Sequence, residues 1–413
     1  MLDNSRARSI VHLLILLKAH VITQIIKNTQ EFTSLCTFVK VTLKATDGLT
    51  SAASKSQTDW ALGENPTSRI KKLITELETS SDRIRLGEEP NLTIQLPQGD
   101  PKQRLRRKLE VFLARAKYTE ELVRQAQGDV GGRCNEAKAE LEEAVTGRKG
   151  PDLETQATAA AAALHNKARG TACKVAGATT DTNFAGTSLV ADLMCLCAAE
   201  TNSREKHICG FESHASGVWA NAGTNSNAGE IWGKILDACK NREIQVEVTP
   251  QFLRIAITKF EGLLGAQAHK LTSNGNAGAW LLGYSMNAGS VTCDGQSSTN
   301  GICVDYKGSS DARGPIAWLG HIKNAITALE NRDKNLQRVR KLQRQAEAIL
   351  MSAEDALIEA NISLGGKDMV PASEVTVPNS SNPTSRQNSV VQEPTTVSAA
   401  AITPLILPWT LLI

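Results

Sequence analysis

The chain has 413 residues, 41% of them hydrophobic and 22% charged, so it can bury a sizeable core, and two domains are the neutral expectation at roughly 100–200 residues per domain. Aromatic residues amount to only 4%, which argues against an aromatic-lined groove for single-stranded nucleic acid. The formal net charge of +3 comes from residues 1–27, which leaves the remaining chain neutral. A neutral body offers no basic surface to a phosphate backbone, so we expect no nucleic-acid partner.

The first 27 residues have the order of a secretory leader. A basic stretch with Arg6 and Arg8 precedes an apolar run over residues 10–17, as in a signal peptide. This apolar run is far too short to span a bilayer. We therefore predict a removable leader over residues 1–27. An amphipathic helix or a misassigned start codon is the alternative, because no small-residue cleavage motif follows.

Two helical patterns come next. From Glu31 onward, apolar residues recur three and four apart on one helix face: Phe32, Leu35, Cys36, Val39 and Leu43. A second helical pattern begins near Ile70 and is predicted to run to about Leu86, where Gly87 and Pro90 end it.

The longest helical patterns cover residues 101–146, which are heptad-like, and residues 315–363. One continuous helix over 315–363 is about 70 Å long at 1.5 Å per residue, so it needs long partner helices, for which residues 31–86 and 101–146 are the candidates. An Ala-rich helix is predicted over 154–173. The long apolar stripe is predicted to be core. A homodimer seam is the alternative, although the Lys/Arg-rich face of residues 332–344 needs acidic partners to enter one.

The composition changes between residues 174 and 314. Gly, Asn, Ser and Thr dominate, six of the nine cysteines lie here, and residues 244–248 alternate as in a strand. We predict a mainly α protein over residues 28–365. It is an elongated antiparallel helical bundle or coiled coil, with this irregular, disulfide-stapled lobe inserted at one end.

Nine cysteines favour an oxidising, secretory compartment. All nine are candidate disulfide residues: Cys36, Cys134, Cys173, Cys195, Cys197, Cys209, Cys239, Cys293 and Cys303. The neighbours Cys195 and Cys197 are expected to pair with different partners. A local hairpin closed by Cys293 and Cys303 and a larger loop closed by Cys209 and Cys239 are two possible pairings. Spacing does not determine connectivity, and the odd count leaves one thiol unpaired or intermolecular.

Three sequons point to the same compartment. The candidate glycosylation sites are Asn91, Asn361 and Asn379. Each sequon alone is weak, because the motif arises by chance. Together, the leader, the cysteines and the sequons agree on the outer cell surface.

The carboxy-terminal region has the order of a glycosylphosphatidylinositol (GPI) attachment signal. Residues 366–388 are a polar stalk, Asn388 and Ser389 are small candidate attachment residues, and residues 399–413 are uncharged and mostly apolar. We predict that residues 389–413 are removed when the anchor is attached. A buried terminal helix is the alternative, but it is interrupted by prolines at 404 and 408.

Motifs for catalysis are incomplete. Residues 229–234 resemble a phosphate-binding loop but are one residue short, and Ile235 stands where a hydroxyl would hold magnesium. Gly283 and Ser285 lack the closing glycine of a nucleophile elbow, and the seven histidines are scattered. We therefore predict no enzyme, no catalytic residue and no cofactor.

One cluster has spacing that resembles a metal site: Cys195, Cys197, His207, Cys209, His214 and Cys239. Tetrahedral zinc needs converging ligands, and Cys-x-Cys is not the usual paired spacing. In an oxidising compartment, disulfides are the simpler use of the same cysteines. No metal is predicted.

The chain resembles the trypanosome variant surface glycoproteins of the b-type. The resemblance covers roughly residues 28–413 and is most specific in the Asp-Leu-Met-Cys-Leu-Cys sequence of residues 192–197. The other features that carry it are the helix at residues 31–36, the Ala-rich run into Cys173, the segment 186–197 with Cys209 beyond it, the long return helix and the apolar tail. The leader is poorly formed, and a polar linker replaces a separate cysteine-rich carboxy-terminal domain, as in the shorter coat proteins of some African trypanosomes.

The resemblance implies a homodimeric coat protein on the outer leaflet of the plasma membrane. A GPI anchor would hold it in the lipid bilayer, and its lobe would face host antibodies. The implied function is to shield the parasite membrane and to support antigenic variation. Two alternatives stay open: a surface receptor for a host macromolecule such as transferrin on the same scaffold, and a secreted enzyme or metal-binding module built on Cys195, Cys197, Cys209 and Cys239.

Overall fold

The computed structural model describes these residues: 27–55, 64–80, 83–86, 93–150, 152–164, 167–175, 183–198, 207–212, 219, 227–268, 279–286, 292–296, 301–308 and 313–363. The chain divides into two units, Met1–Gly366 and Lys367–Ile413, and every described residue belongs to the first. A mainly helical fold is confirmed. The described elements are α1 Thr29–Lys55, α2 Pro66–Thr79, β1 Arg83–Arg85, β2 Thr93–Gln95, α3 Asp100–Thr146, α4 Leu153–Ala162, α5 Arg169–Ala172, α6 Leu189–Cys197, α7 Ala228–Asn241, α8 Pro250–Leu263, β3 Leu281–Ser285, β4 Gly301–Asp305 and α9 Ala317–Ile362.

Two long helices, α3 and α9, form an antiparallel hairpin, called the shaft below. They have 47 and 46 residues, about 70 Å each at 1.5 Å per residue. His321, near the start of α9, contacts Glu140, near the end of α3, with Nδ1 and Oε2 2.8 Å apart. At the other end, Lys108 Nζ donates to Glu359 Oε2 at 3.1 Å. The predicted return helix and its partner at 101–146 are therefore confirmed.

Local signals explain the bounds and the buried face of α3. Its first turn contains Pro101, which is suited to that position because an N–H there needs no helical partner. It ends before Gly147, whose φ of 70° gives the left-handed cap. Its buried apolar residues recur three, four or seven apart, which makes a continuous stripe against α9: Leu105, Leu109, Ala116, Val123, Ala126, Val130, Cys134, Ala137 and Leu141.

The elements α4–α8 with β3 and β4 form the head, at the end of the shaft where α3 ends and α9 begins. Aromatic rings join the head to the shaft: the Phe260 ring of α8 lies 4.9 Å from the Trp318 ring of α9. The strands β3 and β4 are antiparallel, with Leu281 opposite Asp305. The expectation of an irregular lobe over 174–314 is only partly right, because α6, α7 and α8 lie within it.

Two local predictions in this region are wrong. Residues 244–248 form no strand; only Val246 is buried there, and its carbonyl accepts a hydrogen bond from Lys44 Nζ at 2.6 Å instead of from a neighbouring strand. The Ala-rich helix predicted over 154–173 is two shorter helices, α4 and α5. The chain turns at Leu164, whose side chain is fully buried in the core.

A second, smaller core lies at the other end of the shaft. The foot, made of α2, β1 and β2, packs against the start of α3 and the end of α9. The helix predicted to reach Leu86 ends at Thr79. Ile84 and Leu86 are buried whereas Arg83 is exposed, and this alternation with a period of two is a strand pattern. The sequence reasoning missed this second core.

Among the described helices, none combines the length and apolar character that a bilayer crossing requires. Residues 1–26 and 364–413 lie outside the described ranges. The leader, the stalk and the attachment signal therefore stay predictions.

Candidate functional site

Four disulfides fasten the head. Cys36 pairs with Cys239 and joins α1 to α7; Cys173 pairs with Cys195 and joins the end of α5 to α6. The other two close short loops, Cys197 with Cys209 and Cys293 with Cys303. The two cysteines of the Cys-x-Cys sequence thus have different partners.

The possible pairing of Cys209 with Cys239 does not occur in this structure. Cys239 lies on α7 and faces α1, while Cys209 lies beside the end of α6, where Cys197 is its neighbour. These disulfides also consume the cysteines of the zinc alternative, since zinc binds thiolates and not disulfide sulfur. His214 lies outside the described residues.

Cys134 is the cysteine left without a partner, so including it among the disulfide residues is wrong. It lies on α3 in the buried stripe that faces α9, within the same apolar core as the eight paired cysteines. Burial raises the pKa of its thiol, which suppresses the reactive thiolate. We interpret it as a core residue.

Asp192, on α6, is fully buried and connects three parts of the fold. Its Oδ2 accepts hydrogen bonds from Tyr306 Oη and Trp318 Nε1, both at 2.6 Å. Its Oδ1 accepts from the Gly186 N–H at 2.8 Å. Burial raises the pKa of Asp192 to about 7, against the lowering effect of its three donors. This carboxyl joins α6 to the residue after β4 and to the start of α9.

Asn28 is a second fully buried connector. Its Nδ2 donates to Leu196 O at 3.0 Å and to Ile302 O at 2.8 Å, and its Oδ1 accepts from the Tyr284 N–H at 2.9 Å. Both N–H bonds of the side-chain amide therefore have an acceptor. The amide therefore links the residue before α1 to α6, β3 and β4.

Gly283 makes this close packing possible. Its φ is +95°, and a Cβ there would lie 2.7 Å from Leu196 Cδ2 and 2.8 Å from Ile302 O. We expect Gly283→Ala to lower the free energy of unfolding by about 2–4 kcal/mol, because it adds backbone strain to overpacking. Chemical denaturation measures this. The matched variant Gly233→Ala, in α7 with nothing within 4 Å of its Cβ, should be neutral or slightly stabilising. Equal effects of the two variants would contradict the prediction.

Arg169 occupies the buried end of α6. Its Nη2 donates to Cys195 O at 2.6 Å, and its Nη1 donates to Ala198 O. Its guanidinium also lies against the Trp219 ring, with Cζ 5.4 Å from the centroid. A cation at the carboxyl end of a helix is favourable, because the last carbonyls carry partial negative charge. Together with Asp192, this residue fixes both ends of α6.

In the described part of the chain, one group of side chains has metal-like composition: Glu140, Glu143 and His321, whose ligand atoms lie within 4.8 Å of one another. Lys149 Nζ lies 3.6 Å from Glu143 Oε2, so a cation already occupies one side. Burial of the Glu140 carboxyl acts to raise its pKa. Hydrogen bonds from His321 and Asn324 outweigh this effect and hold the pKa of Glu140 below its usual range. We interpret the group as a polar contact between α3 and α9.

The candidate glycosylation and anchor residues are dispersed. Asn361 lies in the last turn of α9, half-buried beside the foot, and its Oδ1 accepts a hydrogen bond from the Gln95 N–H at 3.2 Å. This contact leaves Nδ2 as the atom for glycan attachment. Asn91, Asn379, Asn388 and Ser389 lie outside the described residues.

A long antiparallel shaft with a head fastened by four disulfides defines a disulfide-stabilised, mainly helical scaffold protein. The chain belongs to the trypanosomal VSG domain family. A family model described as "Trypanosomal VSG domain" matches residues 69–348, which is more than half of the chain. The resemblance to variant surface glycoproteins is confirmed, and the b-type subclass stays a prediction.

Two named relatives agree with the family. The chain is 32% identical over 182 residues to variant surface glycoprotein YnAT 1.1 of Trypanosoma congolense, which covers 42% of this chain and 41% of the relative. It is 26% identical over 183 residues to variant surface glycoprotein WRATAT B of Trypanosoma brucei rhodesiense, covering 42% and 37%. The chain spans about two fifths of the length of these curated relatives.

Proposed function

We propose that the protein is a GPI-anchored coat glycoprotein on the outer leaflet of a trypanosome plasma membrane. The proposal rests on the positions of the head and of the end of α9, which lie at opposite ends of the shaft. The head packs at one end of the shaft, and α9 ends at Ile362 beside the foot, about 70 Å away at 1.5 Å per residue. The chain thus leaves the described fold at the end remote from the head. In the sequence, residues 366–388 and 389–413 come next as the proposed stalk and attachment signal, with Asn388 or Ser389 as the attachment residue.

In this arrangement the head faces host antibodies, and changes in its outward residues alter what antibodies recognise. The contacts that hold the head together point inward: the four disulfides, Asp192, Asn28 and Arg169 are buried. Outward residues are therefore free to differ between variants at little cost in stability. This separation supports antigenic variation and needs no catalysis. N-glycans at Asn91, Asn361 and Asn379 would add to the shielding of the membrane.

We also propose that the coat unit is a homodimer. Large apolar side chains remain exposed on the shaft: Tyr118 on α3 is 67% exposed and Met351 on α9 is 58% exposed. In the homodimer that the family resemblance implies, these side chains are candidate contacts with the second chain. Sedimentation equilibrium of the purified protein measures the oligomeric state.

We propose that the leader ends before Lys27, one residue earlier than the bounds of 1–27 predicted from the sequence. Asn28 is fully buried, and its backbone N–H donates to Ile208 O at 2.9 Å. Cleavage after residue 27 would place a charged terminal amine in this buried position, which is costly. Lys27 itself contacts the head, because its Nζ lies 3.5 Å from the Tyr284 ring centroid. We propose that the mature chain retains Lys27.

Live-cell surface labelling, followed by a phosphatidylinositol-specific phospholipase, tests the coat proposal. We expect full-length protein to be labelled and released, and a variant truncated after residue 388 to be neither anchored nor released. A transmembrane surface protein serves as the unreleased control. Intracellular protein, or protein that stays membrane-bound after cleavage of a susceptible lipid, would contradict the anchor. Tight binding of one host macromolecule per chain would favour the receptor alternative.

A further inference from the structure

A cavity of about 590 Å³ lies between the first turns of α1 and one face of α8. Its volume is in the range of small-molecule sites. The α8 side is largely apolar, with Phe252, Ile255 and Leu263, and Ile255 is 45% exposed. The α1 side is polar, with Thr29 and Ser34 among its residues. An apolar wall opposite a polar wall suits an amphiphilic ligand.

The charge of the cavity selects the ligand class. Lys259, on α8, is one of the lining residues, and the described residues that line the cavity include no carboxylate. Ammonium groups recognise carboxylates through charge-assisted hydrogen bonds, which are stronger than neutral ones. The lining therefore favours an anionic amphiphile over a cationic one.

We propose that this cavity binds an amphiphilic monocarboxylate of the fatty-acid class. The hydrocarbon chain packs on the α8 wall, and the carboxylate is directed towards Lys259. The proposal is independent of the coat function, since a purified, disulfide-intact protein binds or does not bind such a ligand wherever it resides in the cell.

Fluorescence titration with cis-parinaric acid tests the proposal. We expect saturable binding of one probe per chain, competition by palmitate, and at least tenfold weaker competition by palmitate methyl ester, which lacks the charge. A tenfold change corresponds to about 1.4 kcal/mol, which is in the range of a charge-assisted hydrogen bond.

Two variants locate the site. Gly262 lines the cavity, and a Cβ there meets nothing within 4 Å, so Gly262→Phe should fill the cavity without displacing the fold and abolish binding. Lys259→Glu should weaken binding at least tenfold. The matched controls are Gly233→Phe, whose Cβ also meets nothing within 4 Å, and Lys234→Glu, both on α7. Both controls should bind within about twofold of the original protein.

Three results would overturn the proposal. The first is the absence of saturable binding. The second is binding that survives Gly262→Phe, or that is lost equally in Gly233→Phe. The third is equal competition by the acid and its ester, which would exclude the carboxylate as the recognised group. Far-ultraviolet circular dichroism of each variant shows that the fold is intact, and none of these results bears on surface location or anchoring.

Discussion

Asp192→Ala is expected to lower the free energy of unfolding by about 3–5 kcal/mol, one of the two largest single effects in the molecule. The substitution leaves three buried donors without an acceptor: Tyr306 Oη, Trp318 Nε1 and the Gly186 N–H. Each unpaired donor carries a desolvation penalty, and the lost side chain leaves a void between α6 and α9. Urea denaturation measured by circular dichroism checks the loss.

Asp192→Asn separates charge from shape. The amide has nearly the same size, but its Nδ2 must face one of the three donors, so we expect a smaller loss of about 1–3 kcal/mol. A loss in Asp192→Asn equal to that in Asp192→Ala would mean that the carboxylate charge, and not the hydrogen-bond geometry, matters here.

The same carboxyl gives a pH dependence of defined sign. Its pKa is about 7 in the folded protein and 3.8 as the ordinary value, so between these pH values the folded protein keeps a proton that the unfolded chain releases. The stability contributed by this group is therefore fully present below about pH 4 and declines as the pH rises towards 7. The difference in unfolding free energy between the original protein and Asp192→Asn should shrink over this interval. A difference that grows with pH would contradict the raised pKa.

These residues show what a sequence can and cannot supply. Apolar spacing predicted α3 and α9, because a stripe that repeats every three or four residues is a local property. The role of Asp192 is not local: Tyr306 and Trp318 are 114 and 126 residues away. Within an apolar helix, an acidic residue signals only that some distant donor must exist. The resemblance singled out residues 192–197 without indicating what that carboxyl contacts.

The antiparallel shaft had a signal that the sequence reasoning overlooked. Residues 102–117 carry seven cations and one carboxylate, and residues 345–362 carry four carboxylates and no cation. The antiparallel arrangement places these two segments side by side, as the Lys108–Glu359 pair shows. Residues 332–344 carry six cations and one carboxylate, and residues 118–146 of α3 carry seven carboxylates and three cations. The charge distribution along both helices therefore favours the antiparallel pairing of α3 with α9.

Removal of the Cys36–Cys239 disulfide is the second large expected effect. In the chain-entropy account, a crosslink stabilises by restricting the unfolded chain, and the benefit grows with the loop it closes. This disulfide spans 203 residues, for which that account gives about 5 kcal/mol. The Cys293–Cys303 disulfide spans only 10 residues, for which it gives about 3 kcal/mol.

We therefore expect the double variant Cys36→Ser with Cys239→Ser to lose about 2–3 kcal/mol more than Cys293→Ser with Cys303→Ser. Double variants are needed because a single substitution would leave a second free thiol in addition to Cys134. That thiol could exchange with the remaining disulfides. Urea denaturation without reductant gives both losses, and non-reducing peptide mapping of the original protein should recover Cys36 linked to Cys239. A larger loss for the short loop would argue that the packing of α1 on α7, and not loop closure, sets the energy, because the long disulfide would then add little to an already docked helix. Mapping that links Cys209 to Cys239 would contradict the connectivity directly, since α7 would then be tied to the end of α6 and α1 would be held to the head by packing alone.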